Sequence, residues 1–141
     1  MSITISQIPH FPILIITVPE GVDPETFGEA LCSLQGVTDH LTGPVYRIFD
    51  FSEMVADFSD LVQIMDVTTR PGENGRCEEG PFRDPRFHNI IVSKQELFQV
   101  GAAAYGRAHR LDVPFFGTLE EAIAYAREQI SLREPIRKPV L

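Results

Sequence analysis

The chain has 141 residues, of which 43% are hydrophobic and 23% charged, enough apolar material for one buried core. A net charge of −8 argues against a nucleic-acid surface, because holding phosphates takes a concentrated excess of Lys and Arg. The 12 basic residues are mostly spread singly, with Arg133, Arg137 and Lys138 the densest group. The longest apolar run, Phe11 to Ile16, is a strand's worth and far short of a membrane span. The opening residues lack the basic start and small-residue cleavage site of a secretory signal, so a cytoplasmic chain with no membrane partner is expected.

Residues 3–6 alternate weakly, and Phe11 to Val18 form a β-rich run closed by Pro19, Glu20 and Gly21. Gln7 to His10 then make the turn between an edge strand and a central one. Asp23 is placed to cap a helix, with Pro24 at its first position, where a missing N–H costs nothing. Phe27, Ala30, Leu31 and Leu34 follow the spacing of one buried face, and Gly36 is expected to end the helix. Thr42-Gly43-Pro44 is a turn before a strand at Val45 to Phe51. Asp57 caps a second helix, with Asp60 three residues on and Phe58, Leu61, Val62 and Met65 as its buried stripe.

From Arg70 to Arg86 the periodicity stops, and Pro71, Gly72 and Gly75 open a loop of a length that is uncommon unless mobile or functional. A strand resumes at Phe87 to Val92. Ser93-Lys94-Gln95-Glu96 reads as a capping box for a helix running through Ala104, with Gly106 beyond it. Val113 to Phe116 is a last strand, and Thr118-Leu119-Glu120-Glu121 is a second capping box. The helix it opens carries Leu119, Ala122, Ile123, Ala126 and Ile130 on one face. The order is β-β-α-β-α-β-α-β-α. This is an α/β fold with a single mixed, mostly parallel sheet of about five strands covered by four helices. Residues 1–132 are expected to form one domain and 133–141 a C-terminal extension.

This pattern resembles the STAS fold of anti-sigma-factor antagonists and sulfate-transporter tails. The resemblance is carried by the opening strand pair, the three later strand-helix units, and Val45-Tyr46-Arg47-Ile48-Phe49-Asp50-Phe51-Ser52 followed by Asp57-Phe58-Ser59-Asp60-Leu61. STAS domains carry a strand ending Asp-Leu-Ser, then Asp-Ser-Ser-Gly-Leu at a helix start, where the second Ser is phosphorylated by a partner kinase. The resemblance places Asp57 on the family's Asp, Ser59 on the phosphorylated Ser and Leu61 on the Leu. Phe58 replaces the first Ser, and Asp60 replaces the Gly. The chain is also similar to uncharacterised bacterial STAS-like proteins in its Asp84-Pro85-Arg86 and its Phe116-Gly117-Thr118-Leu119-Glu120-Glu121-Ala122.

Among residues with chemistry, Ser59 is the candidate phospho-switch, because a helix's first turn favours added negative charge. Asp50 lies near a strand's carboxyl end, where open α/β sheets gather ligands, and its simplest role is a turn with Ser52. Glu20 alone adds no magnesium site to it. His10, His40, His88 and His109 have no metal-like spacing, so no metal and no cofactor are expected. Cys32 and Cys77 are neither a disulfide framework nor a zinc site, and Cys77 reads as a surface thiol. Arg83 and Arg86, with Asp50, Ser52 and Asp57, make a candidate surface for a partner or a small anionic or apolar ligand.

Ala102-Ala103-Ala104-Tyr105-Gly106 makes one helix nearly all small or apolar. That face is either core or a second copy's interface, and a homodimer is expected. The favoured reading is a non-enzymatic binding or regulatory module with a protein partner or small ligand. The alternatives are a small enzyme using Asp50, Glu53 or His88 near strand ends, with the long loop as a lid, or a lipid or small-molecule carrier.

Overall fold

The computed structural model describes residues 2–38, 41, 43–69 and 86–133. Its elements are β1 (Thr4–Gln7), β2 (Ile13–Thr17), α1 (Pro24–Thr38), β3 (Val45–Asp50), α2 (Phe58–Thr69), β4 (Phe87–Val92), α3 (Glu96–His109), β5 (Phe115–Phe116) and α4 (Leu119–Arg133). They form a five-stranded sheet in the order β1-β2-β3-β4-β5, with β1 antiparallel to β2 and every other pair parallel. The expected α/β architecture and chain order are present. The long loop with Arg70, Arg76, Cys77 and Arg83, the C-terminal extension beyond Arg133, and His40 lie outside the described residues.

Alternation along the strands divides the core in two. Leu14, Ile16, Val45, Phe49 and Ile91 face α1, α2 and α3, while Ile13, Tyr46, Ile48, Ile90 and Val92 face α4. Both faces of the central strands are therefore covered, which is why β2 to β4 read as near-continuous apolar runs. All five α4 stripe residues read from the sequence pack on the second core.

Local chemistry sets most boundaries. The Thr26 N–H donates to Asp23 Oδ1 at 2.8 Å, so Asp23 caps α1, and that bond holds its carboxyl below its usual pKa. Glu121 N–H donates to Thr118 Oγ1, whose hydroxyl donates back to Glu121 Oε1. Two glycine readings need correction. Gly36 does not end α1, because its backbone stays helical as far as Thr38. Gly106 lies inside α3, which runs to His109 and closes on Arg110 in the left-handed region.

The Ser93 box is also corrected. Ser93 is buried and its N–H donates to the Phe116 carbonyl, which ties it to the sheet edge and leaves α3 to begin at Glu96. β5 is shorter than expected, with Pro114 and Phe116 carbonyls accepting from Ile91 and Ser93. Finally, Cys32 is disulfide-bonded, against the reading of no disulfide. Spacing gave no sign of it, since disulfide geometry is a matter of distance in space.

Candidate functional site: an apolar edge at the start of α2

β3 delivers Asp50 to the carboxyl edge of the sheet, level with Thr17 and Val92. Its carboxylate accepts from both the N–H and the hydroxyl of Ser52, so Asp50 closes the turn that follows. Phe51 continues inward, its N–H bonded to the Val92 carbonyl and its ring stacked 4.9 Å from Phe98. Met54 and Ala56 are also buried, while Val55 between them is 76% exposed.

Two clamps hold this loop. Gln95, just ahead of α3, accepts from the Ala56 N–H at 3.0 Å and donates to the Ala56 carbonyl at 3.2 Å, as a neighbouring strand would. Gln95 is itself oriented by Ser93, whose hydroxyl accepts the Gln95 N–H. At the far end, Asp57 Oδ1 accepts the Asp60 N–H and Asp60 Oδ2 accepts the Asp57 N–H, a reciprocal cap with Asp in place of Glu.

Phe58, the first residue of α2, is 71% exposed, and Val62 one turn on is also exposed. This corrects the reading of a Phe58-Leu61-Val62-Met65 buried stripe. Leu61 and Ile64 are buried and Met65 half-buried, whereas Phe58 and Val62 point outward. The buried side of the helix is turned away from the apolar centre of the sequence pattern, which leaves an apolar flank in water. Ser59 is exposed beside it, its hydroxyl accepting from Gln63 Nε2 at 3.4 Å.

Asp50, Ser52, Asp57 and Ser59 are thus brought to one edge. Arg86 is not. It precedes β4 at the opposite, amino end of the sheet, where its Nε donates to the Gly43 carbonyl at 2.8 Å. His88 stands at that same end, stacked on Tyr46 with ring centroids 4.7 Å apart, and its Nε2 lies 3.0 Å from the Arg133 guanidinium. The enzymatic alternative grouped His88 with Asp50 and Glu53. Four further residues of β4 separate it from that edge, roughly 13 Å of extended chain. Arg83 lies outside the described residues.

Two features escaped the sequence reading. Arg47 is fully buried in β3, its Nε donating to Asn89 Oδ1 at 2.8 Å and its guanidinium 4.1 Å over the Phe87 ring. Its signal was an Arg flanked by strand residues that are all apolar, in a strand covered on both faces. The second is a small apolar cavity between α2, α3 and the sheet, about 40 Å³ in volume, lined by Leu61, Met65, Phe98, Gly101, Ala102 and Tyr105 among others. No group of three or more His, Cys, Asp or Glu is placed to hold a metal among the described residues.

A chain with an antiparallel β1–β2 opening, parallel pairing from β2 to β5 and three helices on one face has structural counterparts. An uncharacterised protein of the DUF3478 family with a SpoIIAA-like fold, from Shewanella loihica PV-4, superposes with a TM-score of 0.56 over 89% of this chain and 92% of its own. Its sequence identity is 12%. An anti-sigma factor antagonist from Mycobacterium paratuberculosis superposes with a TM-score of 0.51 over 89% of this chain and 95% of its own, at 15% identity. The fold is SpoIIAA-like. No family model matches the sequence, and no curated protein matches it. The STAS-like expectation therefore holds for the fold, and no helix among the described residues is long and apolar enough to cross a membrane.

Proposed function

We propose that this SpoIIAA-like chain is a non-enzymatic regulatory module that docks a protein partner over the β3–α2 loop and the first turns of α2. The observation that carries the reading is Val55 and Phe58 standing in solvent on a loop clamped at both ends. Large apolar side chains grouped in water mark interaction surfaces. A loop already held in one shape loses little further freedom on binding. The likeness to an anti-sigma factor antagonist supports a protein partner in preference to a small substrate.

Ser59 is the proposed switch. A phosphoryl group there would bring roughly −1.5 to −2 charge beside Phe58 and turn an apolar contact into an anionic one. Its neighbours Asp57 and Asp60 already place negative charge in that turn, so modification would add to an anionic edge and reset which partner it accepts. The carrier reading fares less well: a cavity of about 40 Å³ is well below the roughly 150 Å³ that admits benzene. Homodimer formation stays a separate proposal, because Ala102, Tyr105 and Gly106 of the small-residue face are spent on the core. A cytoplasmic location is likewise a separate proposal.

The test is affinity purification from the native cell with wild-type, Phe58→Asp and Ser59→Glu baits. A protein retained by the wild type and lost with Phe58→Asp is the expected result. Retention that ignores Phe58 would remove this edge from the function.

A further inference from the structure

His88 and Arg133 meet at the amino end of the sheet, away from the docking edge, and neither takes part in docking there. β4 pairs His88 with Tyr46 of β3, and the two rings stack 4.7 Å apart at 21°. Tyr46 belongs to the core under α4, as do Ile90 and Val92, which share His88's side of β4 by strand alternation. The ring therefore faces α4, where its Nε2 lies 3.0 Å from Arg133 Nη1. A guanidinium carries donors only and keeps its charge at any physiological pH. The contact is a hydrogen bond only when Nε2 accepts, which fixes the ring as neutral with its proton on Nδ1. One added proton turns that acceptor into a donor and sets two cations against each other.

Arg133 is the last residue of α4. The helix rests on the sheet through buried Ala122 and Ala126, with Leu119, Ile123, Tyr125 and Ile130 partly buried. Past Ile130, Ser131 is exposed and Leu132 is 71% exposed, so the final turn reaches the sheet through Arg133. A polar contact thus holds the helix where it ends, and helix ends open at the least cost.

The groups around the ring set the direction of its response. From α4 come Arg133, whose charge opposes protonation, and Tyr125; from β3 comes Tyr46. The segment ahead of β5 supplies Asp112, whose exposed carboxylate favours the charged ring. Arg86, two residues earlier in the chain, is engaged with the Gly43 carbonyl. The Tyr46 hydroxyl is buried with no hydrogen-bond partner among the described residues, so it ties down neither ring nor guanidinium. Burial first and Arg133 second outweigh Asp112 and hold the pKa of His88 below its ordinary 6.5. The contact is therefore made at neutral pH and lost on acidification.

We infer that His88 and Arg133 form a proton-operated latch: the neutral ring holds the last turn of α4 on the sheet, and protonation turns the ring to Asp112 and lets that turn open. The proton comes from solvent, and no covalent bond other than N–H changes. Gln129 to Arg133 change exposure with pH while the rest of the sheet stays folded.

The experiment follows ring nitrogen shifts and amide exchange protection factors of the isotope-labelled full chain from pH 7.5 to 5. At the upper end, His88 Nε2 is expected to be the unprotonated nitrogen. On acidification, protection of Gln129 to Arg133 should fall about fivefold further than that of Ile90 and Val92. His88→Gln supplies an oxygen that accepts from Arg133 and does not titrate, so the extra fall should vanish. Arg133→Ala changes an exposed residue and keeps the fold. It should leave the turn open at both ends of the range and raise the midpoint of His88. A proton on Nε2 at pH 7.5, an equal loss of protection in α4 and the sheet, an extra fall that survives in His88→Gln, or an unmoved His88 midpoint in Arg133→Ala would each overturn the latch.

Discussion

His88 is where a single side chain makes the fold pH-sensitive. Its burial, together with the nearby Arg133 charge, lowers its pKa from the ordinary 6.5, with Asp112 acting weakly the other way. The folded state thus prefers neutral His88, and the unfolded chain binds more protons once the pH drops below about 6.5. Stability is full above that value and declines on acidification towards the lowered folded pKa. Thermal melts from pH 7.5 to 5 should show this fall, and His88→Asn should flatten it. An unchanged slope in the variant would assign the effect to other groups. Arg47 and Tyr46, neighbours in β3, make a second contrast. Removing the acceptor in Asn89→Ala leaves a buried guanidinium short of a bond and should cost about 1–3 kcal/mol in chemical denaturation. The Tyr46 hydroxyl is buried with no hydrogen-bond partner among the described residues, so Tyr46→Phe should be neutral or slightly stabilising.

Among the elements, α3 shows most clearly how close approach outweighs propensity. Ala is the better helix former than Gly by about 1 kcal/mol. At Gly106, however, a Cβ would lie 2.6 Å from the Leu111 carbonyl oxygen, which the chain brings back over the helix end. That oxygen belongs to backbone and cannot swing aside, so Gly106→Ala should destabilise by about 1–3 kcal/mol despite the better propensity. Denaturant midpoints of the purified variant check it; a stabilised protein would mean that the Leu111 turn relocates freely. The same logic of tertiary demand moved the start of α3. The Ser-x-x-Glu pattern at Ser93 is a sound local cap, yet the Ser93 N–H was needed by Phe116 to complete the β5 edge. α2 departs from its pattern for a related reason, since Leu61 packs on Gly101 while Phe58 and Val62 of the same arc stay in water.

At the scale of the whole fold, the described residues form one sheet with two cores that share the same strands, the larger under α1 to α3 and the smaller under α4. Ile48 and Phe49 are adjacent in β3 and face opposite cores, so neither layer can melt without exposing the other's backbone. Calorimetry should therefore give a single two-state transition with equal van't Hoff and calorimetric enthalpies. Two separated transitions would break the expectation that residues 1–132 are a single domain.

Strand periodicity, capping residues and the alternation of β and α segments made the element order, the parallel sheet and the roles of Asp23, Asp57 and Thr118 legible in the sequence. These depend on neighbours within a few positions. The Asp50–Ser52 turn was legible for the same reason. What the sequence could not carry was which apolar residues would be left in water, the burial of Arg47 against Asn89, the separation of His88 and Arg86 from the carboxyl edge, and the pairing of Cys32. Each of these depends on where another element comes to rest. A local pattern states that a face is apolar, and only the packed neighbour decides whether that face is covered.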